Sequence, residues 1–359
     1  MRWELSDEQE LLCSTFRSWL ERAMPAAELR ALFDAGDPTA FENALVGEGW
    51  TSVGFPEDWG GQGGGLVELA LLAEQLGRHG APSAAWLSSA IAAPALAGSR
   101  DVVSRVLEGS EAACLVVPGD HVIDGGSGGV RADGTALSGA VTSVVSADRA
   151  RHLVVPAVGA KGLRLFHVDV HADGVQVRRR TLLDRTRGVA DVTFVGAAAS
   201  ELNCDAGEAL RDAALRAAVL VAADTLGGID RMLELAVEYS KQRKQFGVSI
   251  GSFQAVKHAA SSMLVQAEAA RSIVYYAAAS VDQGHEDRVL HAATAKAQVT
   301  PAGVEAADTA LTMHGAIGYT WEHDLHLFYK RAKLNEHLFG GSAEWNERIA
   351  SALPLLAAG

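Results

Sequence analysis

Fold and candidate site both depend on one stretch of the chain, residues 239–254, which reads Tyr-Ser-Lys-Gln-Arg-Lys-Gln-Phe-Gly-Val-Ser-Ile-Gly-Ser-Phe-Gln. The pattern predicts the basic end of one helix, a glycine-bearing turn and the start of the next helix. Cations at a helix C-terminus complement the helix dipole, which is one interpretation of Lys241, Arg243 and Lys244. Another is an anion clamp, because Arg243 offers a planar fork of donors suited to a diphosphate and Phe246 offers apolar cover for a ring.

A second glycine-bearing stretch favours the clamp. It reads Met-His-Gly-Ala-Ile-Gly-Tyr-Thr-Trp-Glu-His-Asp and occupies residues 313–324. The segments Arg-Lys-Gln-Phe-Gly-x-x-Ile-x-x-Phe-Gln at 243–254 and His-Gly-Ala-Ile-Gly-Tyr-Thr-Trp-Glu-His-Asp at 314–324 resemble the two flavin-tail motifs of the acyl-CoA dehydrogenases. The resemblance extends unevenly over the whole chain.

Composition excludes several classes of protein. The 359 residues suffice for two or three domains, and the net charge of −13 argues against nucleic acid as a partner. Three cysteines, Cys13, Cys114 and Cys204, have no metal-ligand or paired spacing and fit a reducing cytoplasm. The acidic N-terminus is not a signal peptide, and no apolar run reaches the length of a membrane span.

The first part of the chain has helical periodicity. Ser6, followed by Gln9, has the pattern of a capping box at the start of a helix. Further helices are predicted over residues 41–48, 66–78, 84–98 and 102–107.

From about residue 112 the hydrophobic period changes to 2, with Asp-Gly turn signals and no room for helical crossovers. This predicts a compact antiparallel barrel or sandwich over residues 113–200. From Ala206 the pattern is helical again, with long helices over 208–242, 254–282 and 286–313 and a last helix from Ser342, which predicts an antiparallel four-helix bundle.

The expected fold class is therefore α+β, because helices come first, then strands, then helices. The expected domains are an N-terminal helical domain at 1–112, a middle antiparallel β domain at 113–200 and a C-terminal four-helix bundle at 201–359. The acyl-CoA dehydrogenase architecture has the same order. Gly227 and Gly228 lie inside the first bundle helix, where a close helix crossing would explain them.

The resemblance implies which residues hold the cofactor FAD by its adenosine-diphosphate tail. On this "tail side", Arg243 would meet the diphosphate, Phe246 would cover the adenine region and Gln254 would hydrogen-bond nearby. A loop would contact the tail through backbone groups, and it consists of Thr312, Met313, His314, Gly315 and Ala316.

The flavin "ring side" departs from the family pattern. The family's Thr-Glu-Pro-x-x-Gly-Ser-Asp segment matches Leu-Val-Val-Pro-Gly-Asp at 115–120. The family's Lys-x-Trp-Ile-Thr segment matches residues 140–145, with Ser143 at the Trp position and Val145 at the Thr position. The usual hydrogen-bonding partners of the ring are therefore not expected here.

The catalytic carboxylate of the family is missing as well. Its usual position, in a Tyr-Glu-Gly-Thr motif, is Gly340 in this chain, and the position that other members use is Ala217. Nearby carboxylates are interpreted as surface groups, because proton transfer requires short range; they are Glu336, Glu344 and Glu347.

The resemblance implies FAD-dependent α,β-dehydrogenation of an acyl-CoA thioester, with electrons passing to an electron-transfer flavoprotein or a similar acceptor. A retained clamp beside a lost base favours a subunit that completes the flavin site of a homologous acyl-CoA dehydrogenase subunit. This would resemble the α2β2 heterotetramers of actinobacterial sterol side-chain degradation. The alternatives are a self-sufficient homotetramer with an atypical base and a flavin-free structural or regulatory scaffold.

Three rival sites are weaker. Glu322, His323, Asp324 and His326 have metal-ligand residue types, but they lie in the structural Thr-Trp-Glu-His-Asp motif, so no metal is expected. No Gly-x-Ser-x-Gly elbow for a hydrolase is present. The glycine-rich loop at 54–65 follows no strand and lacks a Lys-Ser/Thr ending, so it does not predict a phosphate loop.

Overall fold

The computed structural model describes residues 5–124 and 129–353 and begins with a helical region. The predicted capping box is present, because the Ser6 hydroxyl accepts from the Gln9 backbone N–H and the Gln9 side chain accepts from the Ser6 N–H. The helices of this region are α1 (Asp7–Ala23), α2 (Ala26–Ala35), α3 (Thr39–Gly47), α4 (Leu66–Arg78), α5 (Ala84–Ala92) and α6 (Arg100–Leu107). Short 3₁₀ turns follow at Glu57–Trp59 and Ala93–Leu96. The sequence did not predict α2.

The middle of the chain forms one mixed sheet. Its strands are β1 (Ala113–Leu115), β2 (Arg131–Asp133), β3 (Ala136–Val145), β4 (His152–Gly159), β5 (Gly162–Asp169), β6 (Val175–Arg180), β7 (Val189–Ala198) and β8 (Ser200–Glu201). Their order is β6-β7-β3-β2-β4-β5-β8, with β1 beside β4. Most pairs are antiparallel as predicted, but β1 and β2 each pair with β4 in parallel. The crossover from β1 to β4 contains the β2–β3 hairpin instead of a helix, a possibility that the sequence argument left out.

The last part of the chain is helical. It contains α7 (Ala206–Gln242), a small hairpin of β9 (Lys244–Gln245) and β10 (Val248–Ser249), α8 (Gln254–Asp282), α9 (Arg288–His314), α10 (Leu325–His337) and α11 (Ser342–Ala352). The order of helices, sheet and helices confirms the predicted fold class. The bundle differs in one respect, because its fourth helix is α10, with only 13 residues, and the sequence did not predict it.

The two helical regions meet at a crossing of α4 and α7. A Cβ atom at Gly227 would lie 1.8 Å from the Glu74 carbonyl oxygen, and one at Gly77 would lie 2.0 Å from the Asp224 carbonyl oxygen. The helices therefore touch backbone to backbone, which confirms the close crossing predicted at Gly227. At Gly228 the space is open, so the crossing does not explain that residue.

A buried ion cluster beside this crossing holds the sheet against the bundle. Asp224 on α7 accepts hydrogen bonds from Arg331 on α10 (2.9 Å) and Asn335 (2.7 Å) and pairs with Arg187 (2.9 Å), which precedes β7. Burial raises the pKa of Asp224, but the guanidinium groups of Arg331 and Arg187 outweigh burial and lower it to about 2. Asp224 is thus a permanent anion that joins three parts of the fold.

Candidate functional site

The tail side is built on a tight hairpin at the end of α7. Arg243 caps the helix, and its backbone N–H donates to the Tyr239 carbonyl (2.9 Å). In the following hairpin Gln245 pairs with Val248, which leaves Phe246 and Gly247 as the two turn residues. Both have positive φ, 52° and 82°, as a two-residue hairpin turn with the right twist requires.

Phe246 is strained and displayed at the same time. A positive φ is uncommon for a bulky residue and points to a functional constraint. The side chain is 92% exposed, and its contact with Phe253 is edge to face at 6.2 Å between ring centroids. The hairpin therefore presents an aromatic ring outward instead of burying it in the core of this chain.

The Arg243 side chain is also available. It is exposed, and its guanidinium makes no hydrogen bond or ion pair with any residue that the structure describes. Gln254, the first residue of α8, is exposed as well, and no side chain caps that helix. Uncapped N–H donors at a helix start and a free guanidinium are both suited to phosphate oxygens.

The predicted loop at 312–316 is mostly a helix end. Residues 312–314 form the last turn of α9, and Gly315 begins a 3₁₀ turn. The side chains of Met313 and His314 are buried, so only backbone groups there can face a ligand, whereas Thr312, Gly315 and Ala316 are exposed. A helix C-terminus offers carbonyl acceptors, which suit amino and hydroxyl donors and not phosphate.

The two predicted tail segments lie at one end of the bundle. The Tyr239 ring, one helical turn before Arg243, stacks on His314 with 4.7 Å between centroids, and His323 closes against His314 at 4.4 Å. Burial lowers the pKa of His314, which disfavours a positive charge on this ring. The resemblance assigned both segments to one site, and in the structure they lie side by side. The residues present fit the adenosine-diphosphate part of FAD.

Exposed apolar side chains surround this end. Besides Phe246 they belong to the hairpin, the start of α8 and its outer face: Val248, Phe253, Leu264 and Val265. Val248 belongs to the hairpin that follows Arg243, whereas Leu264 and Val265 lie ten and eleven residues beyond the start of α8.

The ring side is closed by direct backbone contacts. The Gly119 N–H donates to the Ser143 carbonyl (3.0 Å), and the Phe339 N–H donates to the Gly119 carbonyl (2.7 Å). The three segments that the resemblance assigns to the ring and the base thus converge, but they bond to one another. Ser143 itself has φ 57° and donates its N–H to Asp191 Oδ1 (3.1 Å).

The space at the base position is also filled. Gly340 has φ 97°, and a Cβ atom there would lie 2.3 Å from Val122 Cγ2 and 3.0 Å from the Val122 nitrogen. A planar ring needs about 3.5–4 Å to the atoms on each of its faces. The hydrogen bonds at Gly119 leave no such layer between the three segments at that point, and Val145 at the Thr position has no side-chain donor. The residues present do not fit the flavin ring.

Neither of the two positions at which the family carries its catalytic carboxylate, Gly340 and Ala217, has one in this chain. Ala217, the alternative position, is fully buried on α7 among helical core residues. Glu347 is exposed and Glu336 is half-buried. Glu344 lies closer to the base position, because its Oε2 is 3.1 Å from where a Cβ of Gly340 would be. The same oxygen accepts a hydrogen bond from the Gly341 N–H (3.0 Å) and so forms the capping box of α11.

Sequence reasoning missed a lysine that holds the closed side. Lys296 on α9 is fully buried, and its Nζ donates to the carbonyls of Asn335 (3.1 Å), Glu336 (3.2 Å) and Gly340 (2.8 Å). Burial lowers the pKa of Lys296 to about 7. The available signal was a lysine surrounded by alanines, in Ala-Ala-Thr-Ala-Lys-Ala at 292–297.

The residues at 322–326, which were considered as metal ligands, make structural contacts instead. Asp324 pairs with Arg30, and His323 Nδ1 accepts from the Leu325 N–H (3.1 Å). Within residues 5–124 and 129–353, no group of three or more His, Cys, Asp or Glu side chains could hold a metal ion. No helix in the same part of the chain is long and apolar enough to cross a membrane.

Comparison with known proteins identifies relatives over nearly the whole chain. The family descriptions "Acyl-CoA dehydrogenase, N-terminal domain" and "Acyl-CoA dehydrogenase, C-terminal domain" match residues 6–109 and 209–353. The acyl-CoA dehydrogenase IpdE2 of Mycobacterium tuberculosis is 28% identical over 351 residues, which cover 96% of this chain and 97% of IpdE2.

Two solved structures are similar over the same extent. A variant of the Tcur3481-Tcur3483 steroid ACAD is 28% identical, has a TM-score of 0.87 and covers 96% of this chain and 97% of its own. The ChsE4-ChsE5 complex from Mycobacterium tuberculosis is 24% identical, has a TM-score of 0.88 and covers 100% of both chains. At that identity the second likeness shows the fold alone.

Proposed function

This chain belongs to the acyl-CoA dehydrogenase family, whose members are FAD-dependent oxidoreductases acting on acyl-CoA, and we propose that it is a subunit that completes the flavin site of a homologous partner chain. One observation carries the proposal. The tail side displays Arg243 and Phe246 outward, whereas the ring side is closed by the bond from Phe339 to Gly119. A clamp with no ring site of its own has a use only if another chain supplies the ring site.

In this assembly each chain has a limited task. FAD, when bound, accepts the hydride that leaves the acyl-CoA thioester. Arg243 holds the diphosphate of the partner's FAD, Phe246 covers the adenine, Gln254 hydrogen-bonds beside it, and the backbone of 312–316 contacts the tail. The partner provides the ring contacts and the carboxylate base, and two copies of each chain form an α2β2 heterotetramer.

The name of one relative supports this assembly and suggests the substrate. The Tcur3481-Tcur3483 steroid ACAD is named for a pair of different chains and for a steroid. We infer a bulky acyl-CoA such as a sterol side-chain or fatty acyl thioester as the substrate. An electron-transfer flavoprotein or a similar acceptor would reoxidise the flavin.

The test is the flavin content of the purified protein. The chain is produced alone and together with a homologue encoded by a neighbouring gene, and flavin per chain is measured by visible absorbance. We expect no flavin in the chain alone and one flavin per pair in the complex. One flavin per chain in the isolated protein would overturn the proposal, and no flavin in either preparation would favour a flavin-free scaffold.

A second candidate function rests on the position of Glu344. Its carboxylate lies close to the base position, so it could serve as the atypical base of a self-sufficient homotetramer. In that case the chain alone would oxidise an acyl-CoA with an artificial electron acceptor, and Glu344→Gln would abolish the turnover. The subunit proposal expects no turnover by the chain alone.

A further inference from the structure

Three polar side chains link the end of the helical region to the sheet, and none of them belongs to a flavin side. His152, the first residue of β4, is only 3% exposed, and both of its ring nitrogens have partners. Its Nε2 lies 2.6 Å from Oε2 of Glu111, in the connection from α6 to β1, and its Nδ1 lies 2.9 Å from Nε2 of His167 on β5. These residues form a Glu-His-His chain at the junction of that connection with the sheet.

Counting hydrogens along the Glu-His-His chain limits its charge. Glu111 Oε2 also accepts from Arg105 Nε (2.7 Å), and this bond lowers the pKa of Glu111, so the carboxylate is ionised and can only accept. His152 Nε2 must therefore carry a hydrogen. The contact between the two rings has room for one hydrogen, which belongs either to His152 Nδ1 or to His167 Nε2. At most one of the two rings can thus be positively charged while the contact exists.

The neighbouring carboxylate does not relieve this limit. Asp169 on β5 is the register partner of His152, but both of its oxygens are already bonded. Oδ2 pairs with Arg151 (2.7 Å), and Oδ1 accepts from the His171 backbone N–H (2.8 Å).

The environment of His167 also opposes a second charge. Burial comes first and the His152 ring second among the causes that lower the pKa of His167. Three further charged groups face it and have smaller effects, the two carboxylates raising the pKa and the guanidinium lowering it: Asp169, Glu111 and Arg105. The neutral form of this ring is therefore favoured in the fold.

A second proton has to separate the two rings. His167 is half-buried and can turn toward solvent, whereas Glu111 holds His152 in the junction. The hydrogen on the freed His152 Nδ1 then needs another acceptor, because a buried donor without one is costly. Water has to enter where the backbone N–H groups of Arg151 and His152 donate to the Ala112 carbonyl (2.8 and 3.1 Å).

We propose that the Glu-His-His chain is an acid-sensitive latch. His167 stays bonded to His152 while at most one of the two rings is charged, and when both are charged it releases His152 and the junction loosens. The released form holds one proton more than the latched form, so acid favours release. The latch uses no residue of the tail side or the ring side, so it does not depend on the proposed function.

The first test counts protons on the unmodified protein. The full chain, with its partner if the partner is needed for solubility, carries histidine labelled with ¹³C at Cε1, and the assigned signals of His152 and His167 are followed by NMR. We expect the two rings together to take up one proton between pH 8 and pH 5.5, flagged by about one complete titration shared between them. Two complete titrations in this range in the folded protein would overturn the proposal.

The second test measures release by hydrogen exchange. The protection of the Arg151 and His152 amides, corrected for the intrinsic effect of pH, should fall about tenfold from pH 7.5 to pH 5.5. This is the change expected when the released form gains one proton on a histidine with an ordinary pKa of about 6.5 and the latched form does not.

Two variants show whether His167 causes the fall. His167→Gln removes the titrating ring but keeps an amide that can donate to His152 Nδ1 or accept from it, so the fall should disappear. His171→Gln is the matched control, because His171 is exposed in the turn after β5; it should keep the fall of the wild type.

Peptides from α7 separate local release from unfolding of the whole chain. Constant protection of Arg151 and His152 in the wild type, a fall that persists in His167→Gln, or an equal fall throughout α7 would each overturn the proposal. Circular dichroism establishes that each variant is folded. If His167→Gln does not fold, the proton count on the wild type decides the proposal.

Discussion

The tail side and the ring side each contain a phenylalanine with positive φ, but one of them is exposed and the other is buried. On the tail side, a phenylalanine with positive φ lies at the tip of a hairpin and points to solvent. On the ring side, another phenylalanine with positive φ, Phe339, is buried, and its N–H is bonded to Gly119. The first side chain is displayed, and the second is packed into the core. Under the proposed function, this chain would keep the tail half of a composite site open while backbone contacts close the ring half.

The largest effect is expected from the buried charge cluster beside the crossing of α4 and α7, which holds the sheet against the bundle. Asp224→Ala leaves two buried guanidinium groups without their shared anion, which should lower the free energy of unfolding by about 3–5 kcal/mol. Urea unfolding followed by circular dichroism measures the loss. The exposed Glu238 on the same helix gives the control Glu238→Gln, which should stay within about 0.5 kcal/mol. A loss below about 1 kcal/mol for Asp224→Ala would contradict the role assigned to the cluster.

Restoring the family's carboxylate on the closed side should also fail. Gly340→Glu places a side chain against Val122 at a φ of 97°, and we expect a loss of about 2–4 kcal/mol and no gain of dehydrogenase activity in the chain alone. Gly341→Ala is the neighbouring control, because its Cβ would meet only His337 Nδ1, at 3.8 Å; it should lose about 1 kcal/mol or less. Turnover by the Gly340→Glu protein would show that the closed side can open.

The pH dependence of the closed side should report Lys296. Its pKa is lowered to about 7 in the fold, below that of an unfolded lysine, so the unfolded state binds more protons between about pH 7 and 10. Its contribution to stability therefore increases as pH rises through this range, by about 1 kcal/mol per unit. The quantity measured is the difference in free energy of unfolding between the wild type and Lys296→Met. A difference that does not change with pH would contradict the lowered pKa of Lys296.

The smallest effect concerns the open side. Arg243→Ala should weaken flavin retention in the assembled complex about 10- to 100-fold, since charge-assisted hydrogen bonds to the diphosphate are lost. Stability of this chain should not change, because the exposed guanidinium makes no hydrogen bond or ion pair with the described residues. Arg243→Lys should recover only part of the affinity, because lysine lacks the planar fork. Lys241→Ala is the control, because it removes a positive charge from the same helix end and leaves the Arg243 guanidinium in place. Unchanged flavin content in Arg243→Ala would contradict the assignment of Arg243 to the diphosphate.

Sequence patterns predicted the elements that carry strong local signals. The predicted helices over 66–78 and 254–282 coincide with α4 and α8, because each has a clear apolar face and a defined start. The fourth bundle helix was missed because α10 starts at the end of a motif interpreted as a loop, and its helix depends on burying Leu325 and Phe328. The parallel pairing of β1 with β4 was missed because it depends on contacts between distant segments.

The candidate site divides in the same way. Arg243 and Phe246 could be named as candidates from the sequence because their motif is continuous, and their assignment to the cofactor stays a prediction. The closed side could not, because the bond between Gly119 and Phe339 joins segments 220 residues apart and uses only backbone atoms. No side-chain pattern encodes such a contact.

The exposed apolar side chains of the hairpin and of α8 have a consequence for production in the cell. Under the proposed function, a copy that is synthesised without the partner would leave Phe246 and Val265 in water, and exposed apolar side chains promote aggregation. Matched synthesis of the two chains would then be a requirement for yield, in addition to catalysis. Surplus copies would be removed by chaperones and proteases, so the abundance of this chain would follow that of its partner.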